Sequence, residues 1–278
     1  MNQKFILNFI TPLIAASSIG LLSPSHAANF ATFSQTELTI SNFSQLPQDV
    51  GVIGDVSAIS IVETGMVEIQ LDGDAIFLRD DSNSIAFGSS RFQTSILGTG
   101  VNYLGRTEIL SNLIGHFDIP ANTIFGFDIK SSVLLRNSTD DLALSPVSSS
   151  GNINLILQDV FTQKDWPIFN FSGFLNTNSV DKLSRDLFIF NSSSSLNILE
   201  YEEETLFGSN NEALQFSLTA SFQIIVNEPT ELVLLAATHS CNYGSNLTDV
   251  CASVPEPSHI LGIFLFAGFI FSMRQRYI

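Results

Sequence analysis

Apolar residues recur at every second position along much of this chain. The clearest run is Leu214, Phe216, Leu218, Ala220, Phe222, Ile224 and Val226, with Gln215, Ser217, Thr219, Ser221 and Gln223 between them. A period of two sends alternate side chains to opposite faces of an extended backbone, so the run predicts a long strand with one buried face. Val67, Ile69 and Leu71 alternate with Glu68, Gln70 and Asp72, and Ile153, Leu155 and Leu157 with Asn152, Asn154 and Gln158. Phe125, Phe127 and Ile129 give another strand, as do the shorter Leu38–Ile40 and Phe169–Phe171. No long segment shows the 3.6-residue period of a helix.

Clusters of turn-forming residues, Asp72-Gly73-Asp74, Ser148-Ser149-Ser150-Gly151 and Asn191 to Ser195, are expected to separate these strands, and Glu202-Glu203-Glu204 to form a solvated turn. Strands at intervals of roughly 10 to 15 residues predict an all-β, antiparallel sandwich or jelly-roll-like domain, with phenylalanines filling the space between two sheets. No long linker interrupts the pattern, so residues 28–253 read as one domain.

The two ends depart from the pattern. Lys4 precedes an apolar stretch, Phe5 to Leu22, followed by Ser23, Pro24, Ser25, His26 and Ala27. A basic start, an apolar run and small residues at Ser25 and Ala27 describe a secretory signal over residues 1–27, cleaved between Ala27 and Ala28 by a signal peptidase. At the other end, Val254-Pro255-Glu256-Pro257-Ser258 precedes an apolar run, Ile260 to Met273, and then Arg274-Gln275-Arg276. As a helix the run is about 21 Å long, short against a hydrocarbon core of about 30 Å. Its position predicts a membrane helix over about 259–273 with a basic tail, 274–278, held on the cytoplasmic side and the domain outside.

Charge narrows the partners. Of 27 acidic and 11 basic residues, only Glu256 and Lys4, Arg274 and Arg276 lie in the terminal segments, which leaves 26 acidic against 8 basic between them. Such a surface repels nucleic-acid phosphates and anionic headgroups, so nucleic acid is excluded as a partner. The acidity suits divalent cations or, being dispersed, simply keeps an exported protein soluble.

Pro255-Glu256-Pro257, a Gly-containing apolar helix and terminal arginines, behind an N-terminal signal, resemble the PEP-CTERM sorting signal of bacterial exosortase substrates. The resemblance covers residues 254–278. It implies processing near the Pro-Glu-Pro motif by a membrane-embedded exosortase-type protease and transfer to the cell surface or extracellular matrix. The middle is similar to exported cyanobacterial PEP-CTERM proteins at Asn102-Tyr103-Leu104-Gly105, Phe125-Gly126-Phe127-Asp128 and Gly151-Asn152-Ile153-Asn154. It implies no activity.

Candidate chemistry is sparse. Cys241 and Cys251 are the chain's two cysteines, and in an oxidising compartment they are expected to form a disulfide around the flexible Asn242–Asn246 segment. His116 and His239 are the histidines outside the terminal segments, and no G-x-S-x-G elbow marks a nucleophilic serine. No catalytic residues are assigned. Asp72, Asp74, Asp80 and Asp81 offer oxygen ligands that suit calcium, without EF-hand spacing. Trp166 is the one tryptophan and precedes Pro167, which reads as a sheet edge or corner. The expectation is a non-enzymatic surface or matrix protein. The alternatives are an exopolysaccharide-binding sandwich, assisted by calcium, and a glycan hydrolase with two facing carboxylates.

Overall fold

The computed structural model describes residues 30–140, 147–177, 186–208, 210–245 and 251. These form ten strands in chain order: β1 (Phe30–Ser41), β2 (Asp49–Asp80), β3 (Ile85–Ile119), β4 (Thr123–Thr139), β5 (Val147–Asp159), β6 (Asp165–Asn176), β7 (Leu187–Ser192), β8 (Leu196–Leu206), β9 (Asn211–Val226) and β10 (Thr230–Ser245). Every pairing is antiparallel. The expected all-β class holds. The signal segment 1–27, the cleavage residues Ala27 and Ala28, and the sorting residues Val254, Pro255, Glu256, Pro257, Ser258, Arg274 and Arg276 lie outside the described residues.

The neighbours run β7-β6-β5-β10-β3-β1-β4-β9-β8, with β2 beside β3. This order folds into two facing layers because β3 belongs to both. Its residues 88–98 pair with β1, and its residues 104–119 pair with β10. β2 follows β3 through the change of direction. Where the hairpin turns from one layer to the other, Gly65 lies opposite Gly100, at φ 113° and 109°. Those angles are open to glycine and hostile to residues with a Cβ. At Gly65 a Cβ would sit 1.9 Å from the Thr99 carbonyl oxygen, so backbone is in the way on two counts.

Alternation decides what fills the interior. Leu214, Phe216, Leu218, Ala220, Phe222 and Val226 of β9 are buried, as are Ile153, Leu155 and Leu157 of β5. The aromatic part of the core is centred on Phe216, stacked on Phe171 of the opposite layer at 4.3 Å between ring centroids, with Phe188, Phe190 and Tyr201 around it. A second group gathers Phe43, Phe117, Phe125, Phe127 and Phe222. Phenylalanine suits this place, since it fills the gap between sheets and leaves no polar atom to satisfy.

Beside the aromatic core the interior turns polar. Ser34 of β1 donates to the Ser150 carbonyl of β5 at 2.9 Å, and Ser240 of β10 donates to Ser34 Oγ at 2.7 Å. Asn242 Nδ2 donates to Thr94 Oγ1 and to the Thr94 carbonyl at 2.6 and 2.8 Å, and Ser90 meets Thr238 at 2.6 Å. All of these side chains are buried. Small side chains let the layers approach closely, and these hydroxyls and the Asn242 amide bond across the gap, while the Thr32, Thr36 and Ser150 hydroxyls beside them are buried without a hydrogen-bond partner.

Three expected turns are strands instead. Asp72-Gly73-Asp74 runs through β2, Ser148-Ser149-Ser150-Gly151 through β5, and Glu202-Glu203-Glu204 through β8. Gly73 is small because a Cβ would lie 2.4 Å from Phe92 Cδ1, and Gly151 because one would lie 2.6 Å from Val133 Cγ1. At these positions glycine and serine answer to close packing, and the exposed edges carry the acids. Of the Asn191–Ser195 cluster, residues 193–195 do connect β7 to β8, while Asn191 and Ser192 end β7.

Candidate functional site

The four acids singled out for calcium do not converge. Asp72 and Asp74 lie in mid-strand, eight and six residues before Asp80, a separation of about 20 Å or more along a strand. Asp80 is engaged by its own turn, where Oδ1 accepts from the Ser82 amide at 2.9 Å and Oδ2 from Asn83 Nδ2 at 2.6 Å. Those bonds to Ser82 and Asn83 hold its carboxyl below the ordinary range. Asp81 pairs with Arg79 at 2.6 Å, and Arg79 also donates to the Pro47 and Gln48 carbonyls. The group therefore ties the tip of the β2–β3 hairpin to the loop after β1. Among the described residues, no three His, Cys, Asp or Glu side chains are grouped to hold a metal.

Cys241 and Cys251 meet in a disulfide, with Cα atoms 5.9 Å apart. Cys241 sits near the end of β10, and the Cys251 amide donates to Ser148 Oγ of β5 at 3.4 Å. The bond fastens the chain after β10 onto the outer surface of the layer, against Leu104 and Phe174.

His239 is part of a row of polar groups across four adjacent strands. Ser172 Oγ of β6 donates to Asn152 Oδ1 of β5 at 2.6 Å, and Asn152 Nδ2 meets His239 Nδ1 of β10 at 3.2 Å. His239 Nε2 meets Glu108 Oε1 of β3 at 3.1 Å, and Arg106 donates to Glu108 Oε2 at 2.7 Å. With Asn152 Oδ1 taken by the serine, its N–H faces Nδ1. The imidazole proton is thus assigned to Nε2, toward Glu108. The His239 hydrogen bond, followed by the charge of Arg106, holds the Glu108 carboxyl down to about 2 against the opposing effect of burial. Ser172 reaches Asn152 and not the imidazole, so the row lacks the hydrogen bond by which a base activates a serine.

One carboxyl pair does meet. Asp186, just before β7, and Glu212, at the start of β9, are hydrogen-bonded side chain to side chain across the two layers. Asp186 Oδ1 also accepts from the Asn176 amide at 2.9 Å, and Glu212 takes hydrogen bonds from the Gly208 amide and the Asn137 side chain. Burial first, then the Asp186 charge, pushes the Glu212 carboxyl up to about 7. Burial raises Asp186 as well. Direct contact leaves no space between the two for a sugar ring, whereas a hydrolase holds its carboxyls apart across a cleft. Sequence reading passed over this pair because its members are 26 positions apart among many acids.

An open groove of about 420 Å³ lies between the start of β6 and the β7–β8 turn. Trp166, Phe222 and Ile224 supply apolar lining, and Asn170, Asn191 and Ser194 supply amides and a hydroxyl. Lys164 Nζ rests 5.3 Å from the Trp166 ring centroid. Trp166 thus sits at a sheet margin, as its sequence context implied.

Fold and site together define an all-β, disulfide-tied domain of two antiparallel sheets. No protein-family model, curated protein or solved structure matches this chain.

Proposed function

We propose that this chain is a non-enzymatic envelope or matrix protein built on an antiparallel β-sandwich. It is exported behind residues 1–27, held briefly in the membrane by residues 259–273, and processed at Pro255-Glu256-Pro257 by an exosortase-type protease. The observation that carries the reading is the Cys241–Cys251 bond, which uses both cysteines of the chain. A disulfide of this kind belongs to an oxidising compartment. It stands only a few residues before the sorting motif, so it also closes the domain where the processed segment begins. The test replaces Glu256 and Pro257 and follows the chain by size and fractionation in a host with its exosortase. Loss of processing supports the reading, and unchanged processing and location overturn it.

A second reading, exopolysaccharide binding, is favoured by the groove at Trp166. An aromatic face beside amides and a hydroxyl offers what a sugar needs, stacking for its C–H face and hydrogen bonds for its hydroxyls. Retardation in polysaccharide-containing gels that is lost in Trp166→Ala would support it. Equal mobility with and without polysaccharide would remove it.

A further inference from the structure

The longest edge of the fold is its least protected. β2 pairs with β3 along one side, and among the described residues no strand pairs with the other. Edge strands expose unpaired N–H and C=O groups and are normally short or charged. β7 is short, at six residues, and β8 carries Glu200, Glu202, Glu203 and Glu204. Residues 51–62 of β2 carry one charge, Asp55. Apolar side chains there are open to solvent on both faces: Val52, Val56 and Val62 on one, Ile53, Ile59 and Ile61 on the other, with Val56 at 61% and Ile61 at 57% exposure.

We propose that this edge pairs with the same edge of a second copy, antiparallel, about a two-fold axis at Ser57. The sequence is self-complementary about that residue. Ile53 then faces Ile61 of the other copy, and Val52 faces Val62. Asp55 faces Ile59 and Glu63 faces Gly51, so no two acids are opposed. Moving the axis to Val56 sets Asp49 against Glu63, and moving it to Ala58 sets two acids against isoleucines, Asp55 against Ile61 and Glu63 against Ile53, where the Ser57 axis sets one. An isologous contact of this kind closes on itself as a dimer and does not propagate. The chain's overall formal charge of −16 opposes association, and the segment's near-neutrality is what permits it at this place.

The test introduces one free thiol into the full chain, whose native cysteines are already bonded to each other. Ser57→Cys brings two thiols face to face across the axis, within disulfide reach. Ser60→Cys leaves them about 20 Å apart, and Ser60→Cys mixed with Gly54→Cys brings unlike copies together. The expected result is a covalent dimer from Ser57→Cys, formed at least about tenfold faster than from Ser60→Cys, and a mixed dimer from Ser60→Cys with Gly54→Cys. Light scattering is expected to give twice the monomer mass for the native chain and the monomer mass for Ile61→Lys, with unchanged circular dichroism. A native chain that stays monomeric, or equal cross-linking at 57 and 60, overturns the proposal. So does cross-linking at 57 that appears only after residues 254–278 are removed, since the tail would then be what covers the edge.

Discussion

Ser240 Oγ donates to Ser34 Oγ at 2.7 Å, linking strands of opposite layers through the middle of the core. Most two-sheet cores meet through apolar side chains, and here hydroxyls share that task. Ser240→Ala removes one donor and leaves Ser34 still bonded to Ser150, for a loss of about 1 kcal/mol. Gly151→Val drives a side chain into Val133 and Thr36 in the same narrow gap, and a loss of about 3 kcal/mol is expected from overpacking. Urea unfolding of both variants checks the contrast. Equal losses would mean that the close approach of the layers is not what small residues protect.

The bend of the long hairpin depends on Gly65. Alanine there meets the Thr99 carbonyl and a left-handed backbone together, so Gly65→Ala should destabilise by clearly more than about 1 kcal/mol. Gly208 also has positive φ but no atom within 4 Å of a Cβ, and its substitution should cost less. Thermal unfolding of the two variants side by side separates steric from purely conformational strain.

Much of the fold was legible in the sequence where one strand face is buried and the other wet. β9 shows this best, since every apolar position of its alternation from Leu214 to Phe222 is buried. β2 was legible only in part, because valine and isoleucine appear on both faces of residues 51–62 and the period disappears. Serine and glycine were misread as turn formers at 148–151, where close layer packing asks for small residues. The cysteine pairing was legible because the chain offers one pair. The His239 row and the Asp186–Glu212 contact were not, since long-range register brings their members together.

The Asp186–Glu212 contact makes stability depend on pH with a definite sign. Glu212 binds its proton more tightly folded, near 7, than at its ordinary 4.5. Its contribution is therefore fully present below about 4.5 and lost as pH rises through about 7, a limiting change of about 3 kcal/mol. Glu212→Gln cannot ionise and should flatten the fall in unfolding temperature between pH 5 and about 8. An unchanged slope would place the loss elsewhere.

The disulfide closes a loop between positions ten apart. Cys241→Ser with Cys251→Ser should lower stability by roughly 3 kcal/mol and free the chain after β10 to proteolysis. Limited digestion with and without reductant reads both effects, and cleavage at the same rate in either condition would show that the segment is held by other contacts.

The central claim is that the chain leaves the cytoplasm and is trimmed at both ends, and intact-mass analysis of the endogenous protein tests it most directly. The account predicts a species from the envelope or medium that begins at Ala28, ends near Pro255-Glu256-Pro257 and contains an oxidised Cys241–Cys251 pair. A cytoplasmic species with Met1 to Ile278 intact and both thiols reduced would contradict it.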